Sequence, residues 1–209
     1  FDMFVKIEKE TNGYHWAQNM LGACYEYGEG VDQDDKKRFE YNSLSSEQGN
    51  SAAMNSLGYC YEKGIGTDVN KTKAFEWYEK SANLGYCIAM KNVGGFYQHG
   101  SGGVIKNWKK AFEYHTLSAE QGERQAMNNL GYCYEKGIGT DVNLTKAFEW
   151  YEKSANLGDC TAMNNLGMYY HNGRGEVTID LNKARELYTK SAAQGYTAAQ
   201  TRLDKLNAQ

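Results

Sequence analysis

The chain of 209 residues contains no proline and 23 glycines. Proline interrupts helix interiors, so its absence suits a chain that is mostly helix and turns at glycine. Long apolar runs are missing as well, because none approaches the ~18 residues that a membrane-spanning helix needs. The sequence therefore predicts a packed helical protein and no membrane insertion in this segment.

A basic block is also missing. The 23 Lys and Arg residues are outnumbered by 26 Asp and Glu residues, and the net charge is −3. Nucleic-acid binding depends on clustered Lys and Arg that displace counterions, so nucleic acid is not an expected partner. No signal peptide is visible and the chain begins at Phe1, so we expect a piece cut from a longer protein.

Catalytic and metal-binding patterns are absent too. The five cysteines form no C-x-x-C pair, and the four histidines form no H-E-x-x-H motif. The glycine-rich stretches follow no predicted strand, so none has the context of a phosphate loop. The sequence thus predicts no active site, no metal site and no cofactor, and we expect a protein that is not an enzyme.

An internal repeat organises the chain. Segment 57–86 recurs at 130–159 with only two differences, Lys71 against Leu144 and Tyr86 against Asp159. An apolar residue followed by glycine recurs every 36 or 37 residues, at Leu21-Gly22, Leu57-Gly58, Val93-Gly94, Leu130-Gly131 and Leu166-Gly167. A fixed period of this length is the signature of a repeat architecture.

The period divides the chain into five repeats flanked by two end segments. Residues 1–14 are predicted to be an N-terminal cap or the end of a truncated preceding repeat, with a helix that ends at Gly13. Residues 197–209 keep an apolar face but replace the other with polar residues, as a C-terminal capping helix should. The repeats are 15–50, 51–86, 87–123, 124–159 and 160–196.

Each repeat is predicted to form two helices. In the second repeat, Ala53, Leu57 and Cys60 form one stripe of a 3.6-residue helix, and Gly64 ends that helix. Each second helix begins at an Asp or Asn, which can accept hydrogen bonds from the free N–H groups of a helix start. These residues are Asp34, Asn70, Asn107, Asn143 and Asp180.

One such hairpin cannot bury both of its apolar faces, so neighbouring hairpins must stack. The predicted fold class is all-α, a right-handed αα-hairpin superhelix (solenoid) of about five repeats with a C-terminal capping helix. The ends are only partly capped, which would allow self-association of the array through its ends.

The repeat resembles the SEL-one-like repeat, a relative of the tetratricopeptide repeat. The fourth repeat carries the full pattern A-x-x-x-L-G-x-x-Y-x-x-G-x-G…N…K-A-F-x-W-Y-x-K-S-A-x-x-G, from Ala126 to Gly158. The resemblance implies a scaffold or adaptor that binds a protein or peptide partner on its concave face. An alternative is a regulatory repeat segment of a larger protein, for example one with a kinase-like domain.

In solenoids of the tetratricopeptide type, the first helices line the concave side. The resemblance therefore places the candidate partner-binding residues on the exposed columns of the first helices. They are Asn19, Asn55, Tyr59, Glu62, Lys91, Asn92, Asn128, Asn129, Tyr132, Glu135, Asn164 and Asn165. A column of Asn side chains can pair with the backbone of an extended peptide, whereas the alternative is that each Asn bonds the backbone of a neighbouring repeat.

The cysteines bear on the compartment. Cys24, Cys60 and Cys133 share one core-facing position, and Cys87 and Cys160 share another. A secreted, cysteine-rich branch of the family staples each hairpin with a disulfide, but this chain lacks cysteine at the corresponding positions. Unpaired thiols therefore favour a reducing compartment such as the cytoplasm.

Overall fold

A computed structural model describes residues 1–10 and 14–208. The predicted helix end at Gly13 lies outside these residues. The described chain is built of helices and turns and contains no strand. It divides into two compact units, residues 1–107 and 108–209, which are described in turn.

The first unit has six helices. Within this unit, consecutive helices pack against each other. Their bounds are α1 (Asp2–Glu10), α2 (His15–Tyr27), α3 (Asp35–Glu47), α4 (Ser51–Lys63), α5 (Lys71–Asn83) and α6 (Cys87–His99).

The second unit has the same organisation. It starts with the second helix of the third predicted repeat, whose first helix is α6 of the first unit. Consecutive helices again pack together. Their bounds are α7 (Trp108–Glu120), α8 (Arg124–Lys136), α9 (Leu144–Asn156), α10 (Cys160–Asn172), α11 (Leu181–Ala193) and α12 (Thr197–Asn207).

The hairpin of α4 and α5 shows how one repeat closes. Tyr78 of α5 is fully buried, and its ring covers Gly58 of α4, where a Cβ atom would approach the ring to 2.8 Å. The Ser81 hydroxyl of α5 donates to the carbonyl of Ser51 at the start of α4 over 2.6 Å. A small residue on one helix therefore admits a large aromatic residue from the other.

The loop between the two helices depends on glycine. Gly64 ends α4 with φ of 73°, a left-handed conformation that glycine adopts without steric cost. Two residues later, a Cβ atom on Gly66 would overlap the carbonyl oxygen of Asp35 in the preceding repeat. The side chain of Asn70 then begins α5 by accepting a hydrogen bond from the Lys73 N–H over 3.0 Å.

The last helix covers the apolar face of the last hairpin. Ala199 and Leu206 of α12 belong to one buried cluster with Ala184 and Tyr188 of α11. Most other residues of α12 are exposed, which is the amphipathic pattern expected of a terminal helix.

The predicted all-α fold of helical hairpins is confirmed. Among the described helices, none is long and apolar enough to cross a membrane.

Candidate functional site

We define the first-helix face of each unit as its candidate columns, on α2, α4 and α6 in the first unit and on α8 and α10 in the second. Within these columns, the rings of Tyr59 and Tyr132 are exposed, at 41% and 40%. Asn164 and Glu135 are buried. The remaining candidates are partly buried: Asn19, Asn55, Glu62, Lys91, Asn92, Asn128, Asn129 and Asn165.

Asparagine side chains pair between neighbouring repeats within each unit. In the first unit, Asn92 Nδ2 of α6 donates to Asn55 Oδ1 of α4 over 3.0 Å. In the second unit, Asn165 Nδ2 of α10 donates to Asn128 Oδ1 of α8, also over 3.0 Å. The first helices of adjacent repeats are thus joined by one amide–amide hydrogen bond in each unit.

Asn164 is buried and hydrogen-bonded within the second unit. It is 2% exposed, and its Nδ2 lies 3.3 Å from Asn165 Oδ1. Its Oδ1 accepts a hydrogen bond from the Arg202 guanidinium of α12 over 3.0 Å. Because both ends of this amide are occupied inside the second unit, Asn164 is poorly placed to meet a partner.

The two tyrosines are the apolar part of the first-helix face, and each ring has a cation nearby. Lys63 Nζ lies 5.8 Å from the Tyr59 ring centroid, and Lys136 Nζ lies 5.9 Å from the Tyr132 centroid. A partly exposed ring with a neighbouring cation offers both apolar and polar contact.

The two glutamates of the column are bonded inside their own hairpins. The Tyr78 hydroxyl of α5 donates to Glu62 Oε2 over 2.9 Å, and Lys63 Nζ lies 2.9 Å from Glu62 Oε1. In the fourth repeat, the Tyr151 hydroxyl of α9 donates to Glu135 Oε2 over 3.0 Å. Each carboxylate therefore holds the two helices of its hairpin together through a charge-assisted hydrogen bond.

Glu135 has a further partner in the next repeat. Arg174, in the loop after α10, donates to Glu135 Oε1 over 3.0 Å, and Lys136 Nζ lies 2.8 Å from the same oxygen. Burial by itself raises the pKa of Glu135, but Lys136, Tyr151 and Arg174 outweigh it and hold this pKa below its usual 4.5. Its own burial and the negative charge of Glu135 raise the pKa of Tyr151.

The first repeat satisfies its glutamate in another way. Asn42 stands where Tyr78 stands in the second repeat, and the buried Arg38 stands in place of Ala74. The Arg38 guanidinium reaches Glu26 Oε1 of α2 over 2.9 Å. A larger residue at one position thus compensates for a smaller one a turn away, and the carboxylate keeps a buried donor.

Arg174 and Arg202 are important residues that the repeat pattern does not reveal. Both depart from the repeated sequence, since Ile65 and Ile138 stand where Arg174 stands, and α12 follows the last repeat. The signal in the sequence that could have identified Arg174 is a basic residue at a position where two other repeats carry isoleucine.

The part of the chain that the structure describes contains no group of three His, Cys, Asp or Glu residues able to hold a metal ion. All five cysteines are free thiols, and those at the core-facing position are buried. Burial raises the pKa of the Cys133 thiol to about 12, so it stays protonated and unreactive at neutral pH.

Comparison with known proteins assigns these hairpins to a family. The Sel1 repeat family model matches five times, at residues 17–50, 51–86, 87–123, 124–159 and 161–196. No curated protein matches the chain at a significant level.

Solved structures show the same fold. A protective antigen of uropathogenic Escherichia coli that displays an SLR fold is 34% identical with a TM-score of 0.79, over 93% of this chain. This chain spans only 41% of that antigen. A Sel1 repeat protein from Oxalobacter formigenes is 28% identical with a TM-score of 0.86, over 93% of this chain and 79% of its own.

An immunity protein from Pseudomonas aeruginosa shares the fold alone, at 22% identity and a TM-score of 0.60, over 86% of this chain and 68% of its own. The five matched repeats span nearly the whole sequence and coincide with the helices described above. This chain therefore belongs to the Sel1 repeat family.

Proposed function

We propose that this protein is a non-catalytic interaction scaffold in which the first-helix face of each unit binds an extended segment of a partner protein. The observation that carries the proposal is the exposure of Tyr59 and Tyr132, at 41% and 40%, beside the paired asparagines. Exposed tyrosine side chains are enriched among the residues that anchor protein interfaces.

The asparagine pairs leave hydrogen-bonding capacity for a partner. Each side-chain amide has two N–H donors and a carbonyl oxygen with two lone pairs, and the bond between Asn92 and Asn55 uses only one donor and one lone pair. The remaining groups can bond the backbone of an extended peptide without reading its sequence. Specificity then comes from contacts with the tyrosine rings.

The buried members of the predicted columns have supporting roles in this proposal. Asn164 and Glu135 hold neighbouring elements in place through Arg202 and Arg174. We therefore assign direct contact to the tyrosines and to the half-buried asparagines, and positioning to Asn164 and Glu135.

The test is retention of partner proteins by the intact chain and by a double variant, Tyr59→Ala with Tyr132→Ala. We expect the double variant to lose about tenfold or more in affinity for a protein that the native chain retains. The matched control is Leu84→Ala with Leu157→Ala, which removes two apolar side chains that are more exposed than the tyrosines and lie just after α5 and α9.

Equal retention by the native chain and the tyrosine double variant would rule out the first-helix face. A second pair of variants, Asn92→Ala and Asn165→Ala, separates the two interpretations of the asparagines. Loss of affinity at unchanged unfolding midpoint means that they bind the partner, whereas a lower midpoint at unchanged affinity means that they serve only to join repeats.

A further inference from the structure

A second candidate site lies between the start of α9 and the loop after α10. It is a partly open cavity of about 290 Å³, which we call the α9 slot. The slot is lined by Leu144, Thr145, Phe148, Glu149, Glu176 and Val177.

The floor of the α9 slot is apolar and firmly supported. Leu144, Phe148 and Val177 are partly buried and pack against the buried cluster that contains Tyr151 and Tyr169. A floor that is continuous with the core is preformed, so a ligand would not have to order it on binding.

The rim of the α9 slot is acidic. Glu149 and Glu176 are both exposed, and in the described part of the chain neither carboxylate takes part in a hydrogen bond or an ion pair. Two unpaired carboxylates beside an apolar floor favour a ligand that combines an apolar group with positive charge.

The corresponding place in the first unit lacks these properties, although its helix is nearly identical. Lys71 stands in place of Leu144, Glu76 in place of Glu149, and Gly103 in place of Glu176. The charges of Lys71 and Glu76 cancel, whereas the α9 slot carries two negative charges. One of the only two differences between the duplicated segments thus changes the floor of this slot.

We propose that the α9 slot binds a segment of a partner protein that presents one aliphatic side chain between Lys or Arg residues. A volume of about 290 Å³, near the lower end of small-ligand pockets, has room for one such side chain. The flanking cations pair with Glu149 and Glu176, which makes the contact selective for basic segments and sensitive to salt.

The probes are three short fluorescent peptides with Gly-Ser flanks and the central sequences Lys-Leu-Lys, Glu-Leu-Glu and Lys-Gly-Lys. Fluorescence polarisation with the full chain is expected to show Lys-Leu-Lys binding at least about tenfold more tightly than either other peptide. Raising NaCl should weaken that binding. Equal affinity for the three peptides, or no binding at millimolar concentration, would overturn the proposal.

Two variants and one control locate the site. Leu144→Lys introduces the residue of the duplicated segment, and Glu149→Gln removes one rim charge from an exposed position. Each should weaken Lys-Leu-Lys binding about tenfold, and Glu76→Gln, at the equivalent position of the first unit, should leave it unchanged. If Leu144→Lys fails to fold, Glu149→Gln alone decides; unchanged affinity in the folded slot variants contradicts the proposal.

Another copy of this chain is the rival occupant, because Ile105 is 88% exposed and is followed by Lys106. Light scattering of the native chain across concentration distinguishes the two. A monomer that binds the Lys-Leu-Lys peptide supports a separate partner. Self-association abolished by Leu144→Lys would show that a second copy occupies the slot and would overturn the proposed partner.

Discussion

Gly58 illustrates how strongly single residues are constrained in this fold. Its Cα lies under the ring of Tyr78, and an added Cβ would come within 2.9 Å of two ring atoms and 3.2 Å of the carbonyl oxygen of Ala74. Gly131 has the same surroundings beneath Tyr151. The glycine of the repeat pattern is therefore required by the closeness of two helices.

We predict that Gly58→Ala lowers the free energy of unfolding by about 1–3 kcal/mol, because the Tyr78 ring is buried and cannot move aside. The matched control is Gly95→Ala in α6, where an added Cβ meets no atom within 4 Å. That change should stabilise the chain by roughly 0.5–1 kcal/mol through helix propensity. Urea unfolding midpoints measure both, and equal effects of the two changes would contradict the packing explanation.

The glycine requirement could be predicted from the sequence, but the role of Arg38 could not. A small residue at a fixed place in every repeat indicates a close helix crossing. Arg38 breaks that rule, and its burial is explained only by the short Asn42 beside it and by the carboxylate of Glu26. This compensation involves residues on two helices, so no single helical pattern contains it.

At the scale of helices, the Glu135 carboxylate joins three elements. It lies on α8, accepts from Tyr151 of α9, and pairs with Arg174 in the loop after α10. The carboxylate is thus a junction between two repeats as well as between the two helices of one hairpin. Its charged form is the one that these donors stabilise.

This junction predicts a pH-dependent stability. The pKa of Glu135 is lower in the folded chain than its usual 4.5, so its contribution is present above that range and is lost as the pH falls through the folded-state value. Arg174→Gln should cost about 1 kcal/mol at pH 7, or roughly 3 °C in Tm. The cost should disappear at a pH low enough to protonate Glu135.

The measurement is thermal unfolding of native chain and Arg174→Gln between pH 7 and pH 3. The control is Lys190→Gln, which breaks the exposed pair with Glu186 and should leave Tm unchanged at every pH. A deficit of Arg174→Gln that stayed constant down to the lowest pH at which the native chain remains folded would mean that the guanidinium acts through packing alone.

At the scale of the whole molecule, the two units differ in the residues at equivalent repeat positions and in their last helix. The first unit has Lys71 and Gly103 where the second has Leu144 and Glu176, and the second ends on α12. Repeat proteins gain stability from nearest-neighbour contacts, so the end of an array depends on the helix that covers it.

We therefore predict that Leu206→Ala costs about 2–5 kcal/mol locally, because Leu206 is 3% exposed and anchors α12 on α11. Hydrogen exchange should accelerate in α11 and α12 first, while α8 and α9 keep their protection. The neighbouring Lys205 is exposed, so Lys205→Ala should change neither the stability nor the hydrogen-exchange pattern. Uniform loss of protection throughout the second unit would show that its repeats unfold as one body.

The sequence by itself determined the all-α class, the two helices of each repeat, the glycine that ends α4 and the Asp or Asn that begins α3, α5, α9 and α11. These features depend on local periodicity, glycine turns and helix caps, and each is written within a few neighbouring residues. The exposed positions of Tyr59 and Tyr132 also follow from the helical period.

Only the tertiary structure decided how the candidate residues are used. Asn55 pairs with Asn92 and Glu135 pairs with Arg174 across 37 and 39 positions of sequence. The α9 slot likewise exists because a loop of one repeat meets a helix of another. Such contacts depend on distances between packed helices, and those distances are fixed when the hairpins stack.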